Sequence, residues 1–516
     1  MPAPTKPAPT KPTALFDRTH EWAELARFCT EPAPGLRIGV VRGRRRHGKS
    51  FLLEHLCRTV GGVYTLALQQ SRVMALDRFA DSLAQGLGFR VGRFTSWVEA
   101  MDTAADLLTS RRGDGTPPLL VLDEFPYLVA HSPELPSVLQ ALYDQRGPSS
   151  GKPPLRIVLC GSAMSTMSTL LAGDQALRGR AVIDMRIGPF GFRDAAEYWG
   201  LADAPGTAFL VDAVLGGAPG YRDVVGDPPE PTAGEDGFYE WLERSVFNPS
   251  HILFTEPEYL LAEDPRISDR ATYHAIWEAV ASGAATPTQI GGLVGMDAKS
   301  LTYHLNIMKA AAFIRYDQDL LLQRKPVITV ADPIVRFHDL IVRPNLVDFE
   351  MREGRAAWER SRETFSSKVL GPHFEDLARQ WTLRYGRERG LDDIGQVGTT
   401  TVPCREHRGH EVDVVALSRE SRARDKPARI TLLGEAKATN KSRTTADLLR
   451  LEHIRDLLCA QGWDAEGCVL ALYTRSEPAP DLVAAAKEGR VLVVTMAEMY
   501  GAGPAPSPLT PPPRPQ

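Results

Sequence analysis

Gly43-Arg44-Arg45-Arg46-His47-Gly48-Lys49-Ser50 sets two glycines, a lysine and a serine at the spacing G-x-x-x-x-G-K-[ST]. Glycines let a backbone curl so that successive N–H groups converge on an anion, and a helix starting directly afterwards adds its positive dipole end. The anion such a loop fits is a phosphate. Lys49 is placed to reach β- and γ-phosphates and Ser50 to ligate Mg²⁺, so Gly43 to Ser50, with Phe51 just beyond, is the expected ATP-binding segment. Leu119-Leu120-Val121-Leu122-Asp123-Glu124 is an apolar run that delivers two acids. There Asp123 suits a Mg²⁺ shell and Glu124 suits orienting or activating a water. Leu159-Cys160-Gly161-Ser162 ends another apolar run on a hydroxyl. Ser162 there either contacts the γ-phosphate or its water, or simply turns the chain. Leu177-Arg178-Gly179-Arg180 offers a further pair of cations. Either Arg180 or Arg178 stabilises charge at a γ-phosphate, in cis or from a neighbouring copy, or the loop is a solvated basic turn; Arg180 is counted with the nucleotide set.

A second constellation lies far downstream. His410-Glu411-Val412-Asp413-Val414-Val415-Ala416 reads as a strand, and Ala428 to Ala438 as the next, carrying Glu435-Ala436-Lys437. Side chains two apart on a strand share a face, so Glu435 and Lys437 point together and Asp413 can oppose them in a hairpin. Two carboxylates beside a lysine suit a hard divalent cation, Mg²⁺ or Mn²⁺. Such an ion polarises a phosphoryl oxygen and generates hydroxide, with Lys437 positioning that nucleophile. Glu375, in a helix opening at His373-Phe374-Glu375-Asp376, can complete the metal shell, and the Ala436 carbonyl is a further ligand. Two readings fit: Asp413, Glu435 and Lys437 are catalytic, or the same residues dress a half-buried sheet that does no chemistry.

These residues need elements to hold them. Arg37–Val41 reads as a strand, Gly48–Val60 as a helix, Gly62–Leu68 as a strand, and Met74–Leu87 and Trp97–Leu108 as helices. Pro118–Leu122 and Leu155–Cys160 are short apolar runs, as buried parallel strands are. The alternation implies a parallel sheet covered by helices. Between 266 and 345 the pattern changes: Ala271–Ser282 is an amphipathic helix, Thr286–Leu293 a short capped helix, Lys299–Lys309 another, and Ala312–Tyr316 with Leu320–Leu322 a hairpin. Helix, helix-turn-helix, hairpin is a winged helix. Lys299, Ser300, Thr302, Tyr303, His304 and Asn306 either contact DNA or leave the unit to pack against protein. Past it, 345–370 is helical and charged. Leu448–Gln461 then reads as a helix, and Gly467–Tyr473 and Val491–Thr495 as strands.

The motif order is specific. Phe16-Asp17-Arg18-Thr19-His20-Glu21 precedes the phosphate loop, LVLDEFPYL and GSAM follow, then LRGR, Pro189-Phe190-Gly191-Phe192, and Gly216-Gly217-Ala218-Pro219-Gly220-Tyr221. Residues 14 to 265 thereby resemble the archaeal-type ATPases of the AAA+/STAND group, in which the opening box lies near the adenine and the GGxP segment belongs to a helical lid. Asp332-Pro333 to Arg336-Phe337 resembles the variant with a nuclease-like C-terminal domain, and the order of elements after 371 resembles the PD-(D/E)xK nuclease core. No glutamine or tyrosine motif of the kind some active relatives carry follows Lys437. The expected fold is α/β: a P-loop AAA+ core at 14–205, a helical lid at 206–265, a winged helix at 266–345, a helical connector at 346–370 and a restriction-endonuclease-like α/β domain at 371–500. Tails at 1–13 and 501–516, rich in proline, are expected to be disordered.

The resemblance implies ATP hydrolysis coupled to DNA binding or to metal-dependent DNA cleavage. Its alternative is a STAND-like signalling switch whose last domain only binds a partner. Self-association follows if an arginine acts in trans. Composition sets outer bounds. The chain has 516 residues, 43% hydrophobic and 24% charged, with net charge −4. Any basic surface must therefore be local. Six scattered cysteines form no C-x-x-C, and neither an apolar signal nor a membrane-length run is evident, so a reduced, cytoplasmic, non-membrane protein is expected.

Overall fold

A computed structural model describes residues 8–110, 116–173, 175–404 and 409–502. Most of the tail expected after 501 lies outside them, as do residues 1–7. Within them the N-terminal stretch is tied down: the Trp22 indole donates to Pro9 O at 2.8 Å.

The first sheet holds β1 (Leu36–Arg42), β2 (Val63–Leu66), β3 (Leu119–Asp123), β4 (Leu155–Gly161) and β5 (Ala181–Arg186). Their order is β2-β3-β4-β1-β5, and every pairing is parallel. β3 and β4 are buried at every residue, which is why they read as unbroken apolar runs rather than alternating ones. β5 was not anticipated. It is an edge strand whose residues alternate between half-buried and exposed, and its polar positions hid it behind the arginine loop. Helices Arg72–Leu87, Trp97–Ser110 and Leu135–Arg146 cover one face, and helices Thr19–Thr30 and Lys49–Val60 the other.

A buried arginine closes the far end of this sheet. Arg156 donates to Phe28 O (2.9 Å), Gly35 O (3.3 Å), Leu155 O (3.1 Å), Glu31 O (2.7 Å) and Ala33 O (3.0 Å). One guanidinium thus bonds four carbonyls of the 28–35 segment, as buried backbone oxygens require.

Helices Pro205–Leu215, Gly234–Arg244 and Glu256–Ala262 follow. Next come helices Arg270–Ser282, Pro287–Val294 and Ala298–Ala310, then an antiparallel pair, β6 (Ile314–Asp317) and β7 (Val327–Val330). Thr286 and Gln289 form a capping box on the middle helix, the local signal that made it legible. The second arm of the hairpin differs from expectation. Leu320–Leu322 is a turn instead of a strand, because Asp319 Oδ1 accepts from the N–H groups of Leu321 (3.0 Å) and Leu322 (2.8 Å) and from Thr400 Oγ1 (2.7 Å). Leu320 and Leu321 bury against the second sheet instead.

That sheet comprises β8 (Val397–Val402), β9 (His410–Leu417), β10 (Ile430–Lys437), β11 (Val469–Thr474) and β12 (Leu492–Thr495), in the order β12-β11-β10-β9-β8. β10, β11 and β12 run parallel; β8, β9 and β10 are antiparallel neighbours. Helix Gly371–Arg384 packs on one face and helix Thr445–Ala460 on the other. The charged stretch 346–370 is less solvated than its composition suggests, since Trp358, Phe365, Val369 and Leu370 enter the core. One apolar cluster runs from Phe192 to Tyr500, joining the later helices to one face of the second sheet, and a separate cluster fills that sheet's other face.

Replacing Arg156 by methionine keeps volume and removes five donors. The variant is expected to lose roughly 3 kcal/mol or more, read as an earlier urea transition of the first sheet; an unchanged midpoint would mean that the 28–35 turn is satisfied by water.

Candidate functional site

Because β1, β3 and β4 are parallel neighbours, their C-terminal ends meet at one edge, where ligands of open α/β sheets bind. Residues 43–50 leave β1 there, Asp123 and Glu124 leave β3, and Ser162 leaves β4. Gly43 has no room for a side chain, since a Cβ would stand 2.3 Å from Ile187 O. Gly48 takes φ +82°, a left-handed conformation that glycine adopts without cost. Helix Lys49–Val60 starts immediately, leaving its first N–H groups without intrahelical acceptors.

Lys49 is buried and its Nζ donates to Arg44 O at 3.0 Å, curled over the loop. Asp123 is 0% exposed; Tyr64 donates to its Oδ2 and the Glu124 N–H to its Oδ1 at 2.8 Å. Glu124 sits at φ +51°, unusual for a side-chain-bearing residue, and its Oε2 accepts from Ser162 Oγ at 3.1 Å. Burial pushes the Glu124 carboxyl up, against Lys49 and with Asp123. A carboxyl raised in this way holds a proton more strongly than a solvated one, the direction in which a base is tuned.

Each of the three arginines of the loop is paired with an acid, Arg45 while remaining exposed. Arg46 pairs bidentately with Glu256, Nε to Oε1 at 2.6 Å and Nη2 to Oε2 at 2.9 Å, and lies 5.1 Å from the Tyr221 ring. Arg45 reaches Glu263 at 2.9 Å. Arg44 pairs with Asp332 and lies 4.9 Å from the Phe313 ring. The Gly220 N–H donates to Arg46 O at 2.9 Å. His47 Nδ1 meets Ile187 O at 3.1 Å; burial and Arg44 drive this imidazole well below its usual value, so it is neutral. Arg18, from the opening box, donates to His47 O (3.1 Å) and Gly188 O (2.7 Å). Sequence reading missed Arg18, Glu256, Glu263 and Asp332 as holders of the loop, and Tyr64 as the partner of Asp123, because partners so distant leave no local trace. Arg180 lies aside, held by Asp144 at 3.0 and 3.2 Å; the Phe51 side chain is exposed beside His55, while its N–H belongs to the first turn of helix Lys49–Val60.

In the second sheet Asp413, Glu435 and Lys437 come together. Lys437 Nζ lies 3.1 Å from Glu435 Oε1 and 3.4 Å from Asp413 Oδ2. The Ala436 N–H donates to Asp413 Oδ2 at 2.9 Å. Burial works against the Lys437 ammonium, yet Asp413, Glu435 and Glu375 outweigh it and hold its pKa above the ordinary value. Glu375 faces the same cluster: burial and Asp413 push its carboxyl up to about 7. Arg450 was not foreseen and meets Glu435 Oε1 at 2.6 Å. Glu435 Oε2 is buried with no hydrogen-bond partner. An orphaned carboxylate oxygen beside two further carboxylates is what a hard cation fits.

No protein-family model matches the chain. It is 22% identical over 384 residues to the uncharacterized protein MJECL04 of Methanocaldococcus jannaschii, covering 73% of this chain and 79% of that protein. Among solved structures it is similar to the Walker-type ATPase PABY2304 of Pyrococcus abyssi, at 20% identity and TM-score 0.47 over 63% of this chain and 96% of that one. It is also similar to the Aeropyrum pernix ORC2 protein, at 12% identity and TM-score 0.44 over 66% of this chain and 96% of that one. No helix among the described residues is long and apolar enough to cross a membrane.

Two outcomes follow from this geometry. Arg46→Ala leaves Glu256, 1% exposed, as a buried unpaired charge, a loss of about 3–5 kcal/mol; Arg46→Ala with Glu256→Ala regains part of it, which a double-mutant cycle by denaturation measures. Glu375 binds its proton more tightly folded, about 7 against an ordinary 4.5. Its stabilising contribution is therefore complete below about pH 4.5 and gone above about pH 7. Between those values Tm in metal-free buffer falls less steeply with rising pH in Glu375→Gln than in the native chain; identical slopes would remove Glu375 from the cluster.

Proposed function

We propose that this chain binds Mg·ATP on residues 43–50 and hydrolyses it, and that nucleotide state is coupled to binding or metal-dependent cleavage of DNA. The observation that carries the reading is the convergence of Lys49, Asp123, Glu124 and Ser162 on three adjacent strand ends. The backbone N–H groups opening helix Lys49–Val60 cradle the phosphates and Lys49 neutralises the outer ones. Ser50 and Asp123 are the ligands for Mg²⁺, which when bound offsets phosphate charge. Glu124 takes the proton from the attacking water, and Ser162 holds that carboxylate in place.

The unit 270–330 we read as a winged helix. Lys299, Ser300, Thr302, Tyr303 and Asn306 are exposed on one helix, a face that suits phosphate and base contacts. In the second sheet Glu375, Asp413 and Glu435 are the donor set for Mg²⁺ or Mn²⁺, and Lys437 steers water toward a phosphodiester; we read this region as nuclease-like. One observation favours the alternative, a nucleotide switch whose last domain only binds a partner. Glu435 Oε1 is already neutralised by Arg450 and Lys437, as in a purely structural ion-pair cluster. Assembly of several copies would belong to either reading.

Lys49→Ala is expected to abolish binding of labelled ATP. Glu124→Gln is expected to retain binding and lose hydrolysis by about a hundredfold or more; a normal turnover rate in Glu124→Gln would remove Glu124 from the chemistry. With Mn²⁺ and ATP, cleavage of linear, circular or single-stranded DNA that disappears in Asp413→Asn and Lys437→Ala supports the nuclease. No cleavage with any of these, while ATP still binds, selects the switch.

A further inference from the structure

Outside both sites, the fold gathers a set of side chains that has no role in either. Cys404 follows β8, His410 opens β9, and His453 lies within helix Thr445–Ala460. One ligand atom from each, a sulfur and two ring nitrogens, lies within 4.8 Å of the other two. The imidazoles of His410 and His453 stand edge to face, with centroids 5.4 Å apart.

We infer that Cys404, His410 and His453 form a binding site for a borderline-soft divalent cation, Zn²⁺ foremost, that joins the end of β8 and the start of β9 to helix Thr445–Ala460. One thiolate and two imidazoles are the donors zinc prefers, and they discriminate against Mg²⁺ and Ca²⁺, which require oxygen. Tetrahedral zinc sets a sulfur and a nitrogen about 3.5 Å apart. The three ligand atoms therefore need to close by up to roughly 1.5 Å. His453 is exposed and can supply that movement by turning its ring. Three protein ligands leave the fourth position to water.

The location gives the ion a task. Arg450 is one turn before His453 and on the same helix. It reaches Glu435 Oε1 at 2.6 Å and Glu411 O at 3.4 Å, and Glu411 adjoins His410. An ion held by His410 and His453 therefore pins the start of β9 to the helix turn that places Arg450 on the carboxylate cluster. The set is invisible in sequence, because no two of its members share a short metal-binding spacing and the third comes from a helix beyond β10. Binding needs the thiolate and neutral imidazoles, so it releases protons and weakens in acid.

The test uses the full chain without nucleotide, stripped with a chelator and titrated with Zn²⁺ against a chromophoric competitor. The expected result is one zinc per chain, with affinity lowered at least tenfold in His453→Ala and in Cys404→Ser. Co²⁺ should give a sulfur-to-metal charge-transfer band that Cys404→Ser abolishes. Because His453 is exposed, His453→Ala should melt with the native chain in chelator, which separates lost binding from lost folding. Asp413→Asn should keep the zinc. Absence of stoichiometric zinc in the native chain overturns the proposal. So does binding unchanged in both His453→Ala and Cys404→Ser, and so does zinc lost in Asp413→Asn but kept in His453→Ala, which would place the ion on the carboxylates.

Discussion

Three consecutive arginines in the loop 43–50 each face an acid from a later part of the chain, and the arrangement of the rest follows from that clamp. Arg46 and Arg45 take Glu256 and Glu263, at the two ends of one short helix, and Arg44 takes Asp332 just past β7. A loop built to attract phosphate oxygens carries positive charge that burial penalises. Here the penalty on Arg44 and Arg46 is offset by acids that belong to the segments packed over the loop. For Arg46, burial opposes the charge and Glu256 more than restores it. The loop therefore holds its shape only while 256–263 and 332 stay in place, and those segments stay in place partly because the loop does.

The hairpin of β6 and β7 carries this constraint onward. Phe313, under Arg44, directly precedes β6, and Arg315 within β6 binds Asp376 at 2.6 and 2.7 Å. Asp376 is desolvated, but Arg315, Arg379 and Arg336 hold it well below the usual carboxylate range. Arg379 in turn donates to Asp413 O at 2.8 Å, and Asp413 is the carboxylate that acts on Glu375. A series of contacts, carried along the backbone between Phe313 and Arg315 and through ion pairs from Arg315 to Arg379, thus links the phosphate loop to the carboxylate cluster. Contiguity supplies a route, and coupling additionally requires that one of these pairs change when the nucleotide does. Arg44–Asp332 is the pair through which the loop joins this series.

What could be read from sequence was what local chemistry dictates. Gly43, Gly48, Lys49 and Ser50 are contiguous and backbone-driven, and Asp123, Glu124 and Ser162 are strand-end residues, so their grouping at one sheet edge follows from parallel pairing alone. The pairing of Asp413 with Glu435 and Lys437 was legible from strand alternation. The rest depended on long-range partners. Nothing near Arg46 announces Glu256, and nothing near Glu435 announces Arg450. Arg180 has the chemistry of a phosphate contact but finds Asp144 first. Leu320–Leu322 has the composition of a strand, yet one carboxylate, Asp319, bends it into a turn.

The most direct test is hydrogen–deuterium exchange of the full chain with and without Mg·ATP. If the loop and its acids are one unit, nucleotide slows exchange at residues 43–51 and changes it together at 256–263 and 330–337. Protection confined to 43–51, with 256–263 and 330–337 unmoved, would contradict the clamp. No protection at 43–51 would contradict the nucleotide site itself.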